Sequence, residues 1–124
     1  MNIDNIFSML DERNTKDEQA EGIKYAKEIK SLSVFFQPIE GKVLWHNCAV
    51  VIAERGDEEL EPYLFGMFEW LQDMNWPGAD VIYNRLLKFK REKIEMTYDA
   101  CLKEARDRND VAWQDSLLDF WKKT

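Results

Sequence analysis

Apolar residues recur along most of this chain at the spacing of one helix face, and runs of β-branched residues are nearly absent. Ile3, Ile6, Phe7 and Leu10 follow the i, i+3, i+4, i+7 pattern of a one-sided helix. Over 17–32 the stripe narrows to Ile23, Ala26 and Ile29, and Gly22 should cost this helix stability. Residues 33–41 contain Pro38 and Gly41 and read as an extended connection.

The segment 42–55 is apolar nearly all round. Leu44, Trp45, Cys48, Val51 and Ile52 cover one face, and Val43, Ala49, Val50 and Ala53 most of the rest. Such a helix is central and packed on several sides. Asn47 lies within this surface, so it should be buried with hydrogen-bond partners. Gly56 suits the helix stop, and a short turn at 57–60 should precede a main helix from about Pro62 to Met74. Its apolar arc comprises Tyr63, Leu64, Met67, Phe68, Trp70, Leu71 and Met74, with Phe65 stranded on the polar side.

Asn75-Trp76-Pro77-Gly78 breaks the pattern, with Asn75 a candidate cap and Pro77 suited to a first turn. Three further helices are expected. The first, over 77–90, carries Ala79, Ile82, Tyr83, Leu86, Leu87 and Phe89 on one side. The second, over 93–107, aligns Ile94, Tyr98, Cys101, Leu102 and Ala105. The last, over 110–122, aligns Val111, Trp113, Leu117, Leu118, Phe120 and Trp121. Helix starts near 42, 77 and 110 are nearly evenly spaced, as in a short α-solenoid. The expectation is one all-α domain over 1–124, with six or seven helices stacked as antiparallel hairpins.

At Trp45-His46-Asn47-Cys48-Ala49, Asp57 to Leu64, and Trp70 to Gly78, the chain resembles a group of small bacterial proteins, the domain of unknown function DUF5071. The likeness spans roughly residues 26–90. It implies a HEAT-like helical fold and carries no established activity.

Composition narrows the functional classes. The chain has 124 residues and net charge −7. Residues 1–62 hold 13 acidic and 7 basic side chains, against 11 and 10 in residues 63–124. An acidic half argues against nucleic acid, which requires phosphate neutralisation, and favours a basic protein partner through electrostatic steering. No apolar run reaches the roughly 20 residues of a membrane span. Cys48 and Cys101 read as buried thiols, which with the lack of a signal-peptide pattern suggests the cytoplasm.

No catalytic constellation emerges. His46 is the only histidine, no glycine-rich phosphate loop occurs, and neither a cofactor nor a metal is expected. The basic run Lys88 to Lys93 is explained by capping at a helix end. Trp45 and Trp76, with Asn47, Gln72, Asp73 and Asn75, could form two walls of a recognition surface. In the structural alternative, Asn47 ties down the 75–78 turn while Trp45, Trp70 and Trp76 wedge hairpins together. Glu58, Glu59 and Glu61 would attract the basic partner. The leading expectation is a non-catalytic, monomeric protein-binding module, in its most concrete form an immunity-type protein that neutralises a basic toxin. The alternatives are a small-ligand or enzyme pocket at the Trp45/Asn47/Trp76 junction, and self-association through Phe65 and the last helix.

Overall fold

A computed structural model describes residues Met1–Thr124. The α-helices are α1 (Ile3–Leu10), α2 (Lys16–Ala26), α3 (Trp45–Ala53), the single turn α4 (Asp57–Leu60), α5 (Leu64–Glu69), α6 (Ala79–Leu86), α7 (Arg91–Asp107) and α8 (Val111–Lys122). Short 3₁₀ turns occupy Leu32–Phe35, Lys42–Leu44, Glu61–Tyr63 and Trp70–Gln72, and there is no strand. The chain is all-α, as its periodicity predicts.

Side chains close the helix ends. Asn2 accepts from the Asn5 N–H at 2.9 Å, and Thr15 from the Glu18 N–H at 3.2 Å. At the end of α7, Asn109 takes φ +53° while the Asp110 N–H reaches Ala105 and the Asn109 N–H reaches Arg106, a Schellman turn. Asp110 then caps α8 by accepting from the Trp113 N–H at 3.0 Å.

The helices stack in succession: α1 on α2, α2 on α3, α3 on α6, α5 on α7, and α7 on α8. Helix α3 touches α2, α6 and the 32–35 turn, so the all-round apolar segment is indeed central. The 28 buried apolar residues form one contiguous cluster in which Trp70, Trp113, Phe35, Phe68 and Phe120 are the largest fully buried members.

Several local expectations need correction. The 33–41 connection begins with a 3₁₀ turn, because Leu32 and Phe35 turn inward to be buried. The helix expected over 62–74 is a 3₁₀ turn, the six-residue α5, and a second 3₁₀ turn that stops at Gln72. Met74 therefore leaves the apolar arc and is exposed. Val111 and Leu118 also face outward, on the rim of α8. Helix α6 begins at Ala79, two residues past Pro77, and ends at Leu86. Gly22 has a packing reason: a Cβ there would lie 2.8 Å from Met9 Cβ, so its absence lets α1 and α2 approach. Arg91 and Lys93 belong to the first turn of α7, where cations oppose the helix dipole. Arg91 instead covers the Trp121 ring at 4.4 Å.

Candidate functional site

The Trp70–Gly78 motif packs the turn between α5 and α6 against α3. Trp70 is fully buried and its indole N–H donates to the Pro77 carbonyl at 3.1 Å. The Asp73 carboxylate accepts from the Asn75 N–H at 2.8 Å, an Asx turn that reverses the chain after Gln72. Asn75 is exposed and does not cap α6; that position is held by Gly78 at φ +85°. A Cβ on Gly78 would lie 2.6 Å from Ala49 Cβ and 2.9 Å from the Trp45 carbonyl oxygen. The turn backbone is thus pressed against α3. Trp45 meets Trp70 and Trp76 edge-on, at centroid distances of 6.3 and 5.7 Å. Trp76 is half-buried by this contact.

Asn47 is buried but does not serve that turn. Its Nδ2 donates to the Leu10 carbonyl at 2.7 Å and to Gln19 Oε1 at 2.9 Å, fastening the end of α1 and the first turn of α2 to α3. The proposed junction therefore divides. Trp45 and Trp76 come together, whereas Asn47 works toward α1 and α2. No surface concavity is lined by Trp45, Asn47 or Trp76.

The acidic segment is largely matched within the chain. Glu59 pairs with Arg55 at 3.0 Å, Glu61 lies 4.0 Å from Lys93, and Asp57 pairs with Arg85. Glu58 is exposed and takes part in none of the ion pairs. Periodicity overlooked Arg85, which is buried and donates to the Ala53 carbonyl at 3.1 Å and the Arg55 carbonyl at 2.9 Å. The signal was present: Arg85 stands three residues after Ile82 and four before Phe89, inside the apolar stripe of α6.

Both thiols are buried, and desolvation pushes Cys48 and Cys101 up to about 12. Neither is a nucleophile in this fold. No three His, Cys, Asp or Glu side chains converge closely enough to hold a metal ion. No helix is long and apolar enough to cross a membrane.

An acidic concavity lies where α6 faces α8. It has a volume of about 460 Å³ and is lined by Asp80, Tyr83, Asn84, Asp115, Asp119 and Lys123 among others. Tyr83 donates its hydroxyl to Asp119 at 2.7 Å, and Lys123 approaches the same oxygen at 3.3 Å. The Tyr83 hydrogen bond, then Lys123, hold the Asp119 carboxyl below its usual range. Asp80 and Asp115 enter no ion pair. These aspartates lie on opposite helices, so no local spacing marks them as a group. A second concavity, of about 300 Å³, holds Gln72 beside Phe36, Gln37, Tyr63, Gly66 and Glu69. Gln72 thus lines a concavity to which neither Trp45 nor Trp76 contributes.

No curated protein and no solved structure matches this chain significantly. A family model, that of the domain of unknown function DUF5071, matches residues 47–124. The match begins inside α3 and runs through α8, so the C-terminal helices belong to the family unit, beyond the 26–90 span suggested by the motifs. With well over half its length so matched, the chain belongs to the DUF5071 family.

Proposed function

We propose that this protein is a non-catalytic binding module whose partner is a basic protein, engaged through the groove between α6 and α8. The observation that carries the reading is the pair Asp80 and Asp115. They line one groove beside Asp119, on facing helices, and neither takes part in an ion pair. Carboxylates left without intramolecular partners in a concave surface favour a cationic surface and speed its encounter. The net charge of −7 acts in the same direction. Glu58 can add to this field, while Glu59 and Glu61 are already engaged by Arg55 and Lys93.

In its most concrete form the module is an immunity-type protein that masks a basic toxin; this form rests on analogy with small acidic single-domain proteins. The test is affinity capture at low salt with the native chain and the Asp80→Asn/Asp115→Asn variant, followed by mass spectrometry. Expected is a basic protein held by the native chain, released by salt, and lost from the variant. Equal retention by both forms would refute the groove as the interface.

A further inference from the structure

We infer that the concavity between the 32–37 segment and α5 is a recognition pocket for an arginine side chain carried on a partner polypeptide. This rests on the reading above in taking the partner to be basic, and it names a second point of contact.

The pocket is built around a residue in a disfavoured conformation. Gln37 has φ +46°, in the left-handed region that non-glycine residues seldom occupy, and it precedes Pro38. Such strain persists only where the surroundings impose it. Directly after Gln37, the Trp45 indole N–H donates to the Pro38 carbonyl at 2.9 Å. Gln37 Nε2 is buried with no hydrogen-bond partner in the chain. Orphaned buried donors are uncommon, and the Gln37 side chain lines the concavity, where a turn of its amide meets an acceptor from outside.

The other walls define the rest of the ligand. Glu69 is a half-buried carboxylate that enters no ion pair, so it calls for a cation. Gln72 supplies a further amide. Phe36 stacks on Tyr63 at 5.5 Å and 17°, an aromatic wall suited to a flat cation. Gly66 permits this wall: a Cβ there would press to 3.2 Å from the Phe36 ring. Phe65, exposed and four residues before Glu69, adds an apolar neighbour on the same helix face.

One chemistry satisfies the set. A guanidinium pairs with Glu69 and lies along the rings, while the backbone carbonyl of the same residue accepts from Gln37 Nε2. Arginine fits better than lysine because its fork is planar and stacks. A residue within a polypeptide fits better than free arginine, since no Lys or Arg lines the pocket to hold a free carboxylate. A volume of about 300 Å³ is sufficient for one side chain with its peptide group.

The test needs only the purified chain. N-acetyl-arginine-N-methylamide is titrated while the side-chain amide signals of Gln37 and Gln72 and the Tyr63 ring are followed by NMR. The citrulline analogue, equal in shape but uncharged, and free arginine serve as comparisons. Expected are saturable shifts at these signals, with at least tenfold weaker binding for both comparisons and for Glu69→Gln. Gln37→Gly should bind at least tenfold more weakly while its thermal midpoint rises, because glycine relieves the backbone. Absence of saturable shifts, equal binding of the citrulline analogue, or shifts confined to the α6/α8 groove would each overturn the proposal. Failure here leaves the groove reading untouched, because that reading is tested at Asp80 and Asp115 with whole proteins.

Discussion

Arg85 donates to the main-chain carbonyl of Arg55 at 2.9 Å, and Arg55 in turn donates to the carbonyls of Ala26, Lys27 and Ile29 at 3.2, 3.2 and 2.8 Å. The two guanidinium groups form a relay. Arg55 closes the C-terminal end of α2, and Arg85, from α6, closes the end of α3. Cations at these ends complement the helix dipoles as well as the unpaired carbonyls. The relay therefore joins three consecutive layers of the stack.

Arg85→Met should lower stability by about 3 kcal/mol, because it leaves the Ala53 and Arg55 carbonyls without their donor. Urea unfolding measures this. Arg55→Lys should cost roughly 1–2 kcal/mol, since a single ammonium nitrogen cannot reach both the α2-end carbonyls and the Glu59 carboxylate as the two arms of the guanidinium do. A loss below 0.5 kcal/mol in both would remove the relay from the account.

Gly78→Ala should destabilise by about 2–5 kcal/mol, combining a disfavoured positive φ with overpacking against Ala49 and the Trp45 carbonyl. The steric share is separable. Adding Ala49→Gly should recover part of the loss in a double-mutant cycle, whereas the conformational share remains. Strict additivity would argue that the turn does not press on α3.

Asn47→Ala should cost roughly 1–3 kcal/mol, from the orphaned Leu10 carbonyl and Gln19 amide. Thermal or chemical unfolding supplies the check. Native-like stability accompanied by lost partner binding would instead make Asn47 a recognition residue.

Burial holds both thiols near 12, against an ordinary value near 9.0. The folded values are raised, so their stabilising contribution is complete below pH 9 and is lost as pH rises toward 12. Burial raises the Tyr98 and Tyr83 hydroxyls in the same direction. Stability should thus fall steadily above pH 9, and less steeply in the Cys48→Ala/Cys101→Ala variant. Both thiols should resist a disulfide reagent at pH 8 until denaturant is added.

Local features of this fold were legible and distant ones were not. The stripe Ile3, Ile6, Phe7, Leu10 and the all-round apolar α3 follow directly from side-chain spacing. Asn47 could be read as buried because its neighbours on the helix are apolar. Its partner Leu10, 37 residues away, could not, because no periodicity reports which helices meet. The tryptophan motif drew attention through rare residues, yet their shapes are used in packing the turn to α3. The groove and the Gln37 pocket were hidden for another reason. Each is assembled from separate segments, and neither the positive φ of Gln37 nor the Trp45–Pro38 hydrogen bond beside it has a local sequence signal.

The most direct measurement is amide shift mapping of the isotopically labelled chain during titration with the basic protein retained by affinity capture. The account predicts perturbations centred on Asp80, Asn84, Asp115 and Ser116, abolished in the Asp80→Asn/Asp115→Asn variant and diminished by salt. Perturbations that leave the α6 and α8 walls unchanged, or that persist in the variant, would contradict it.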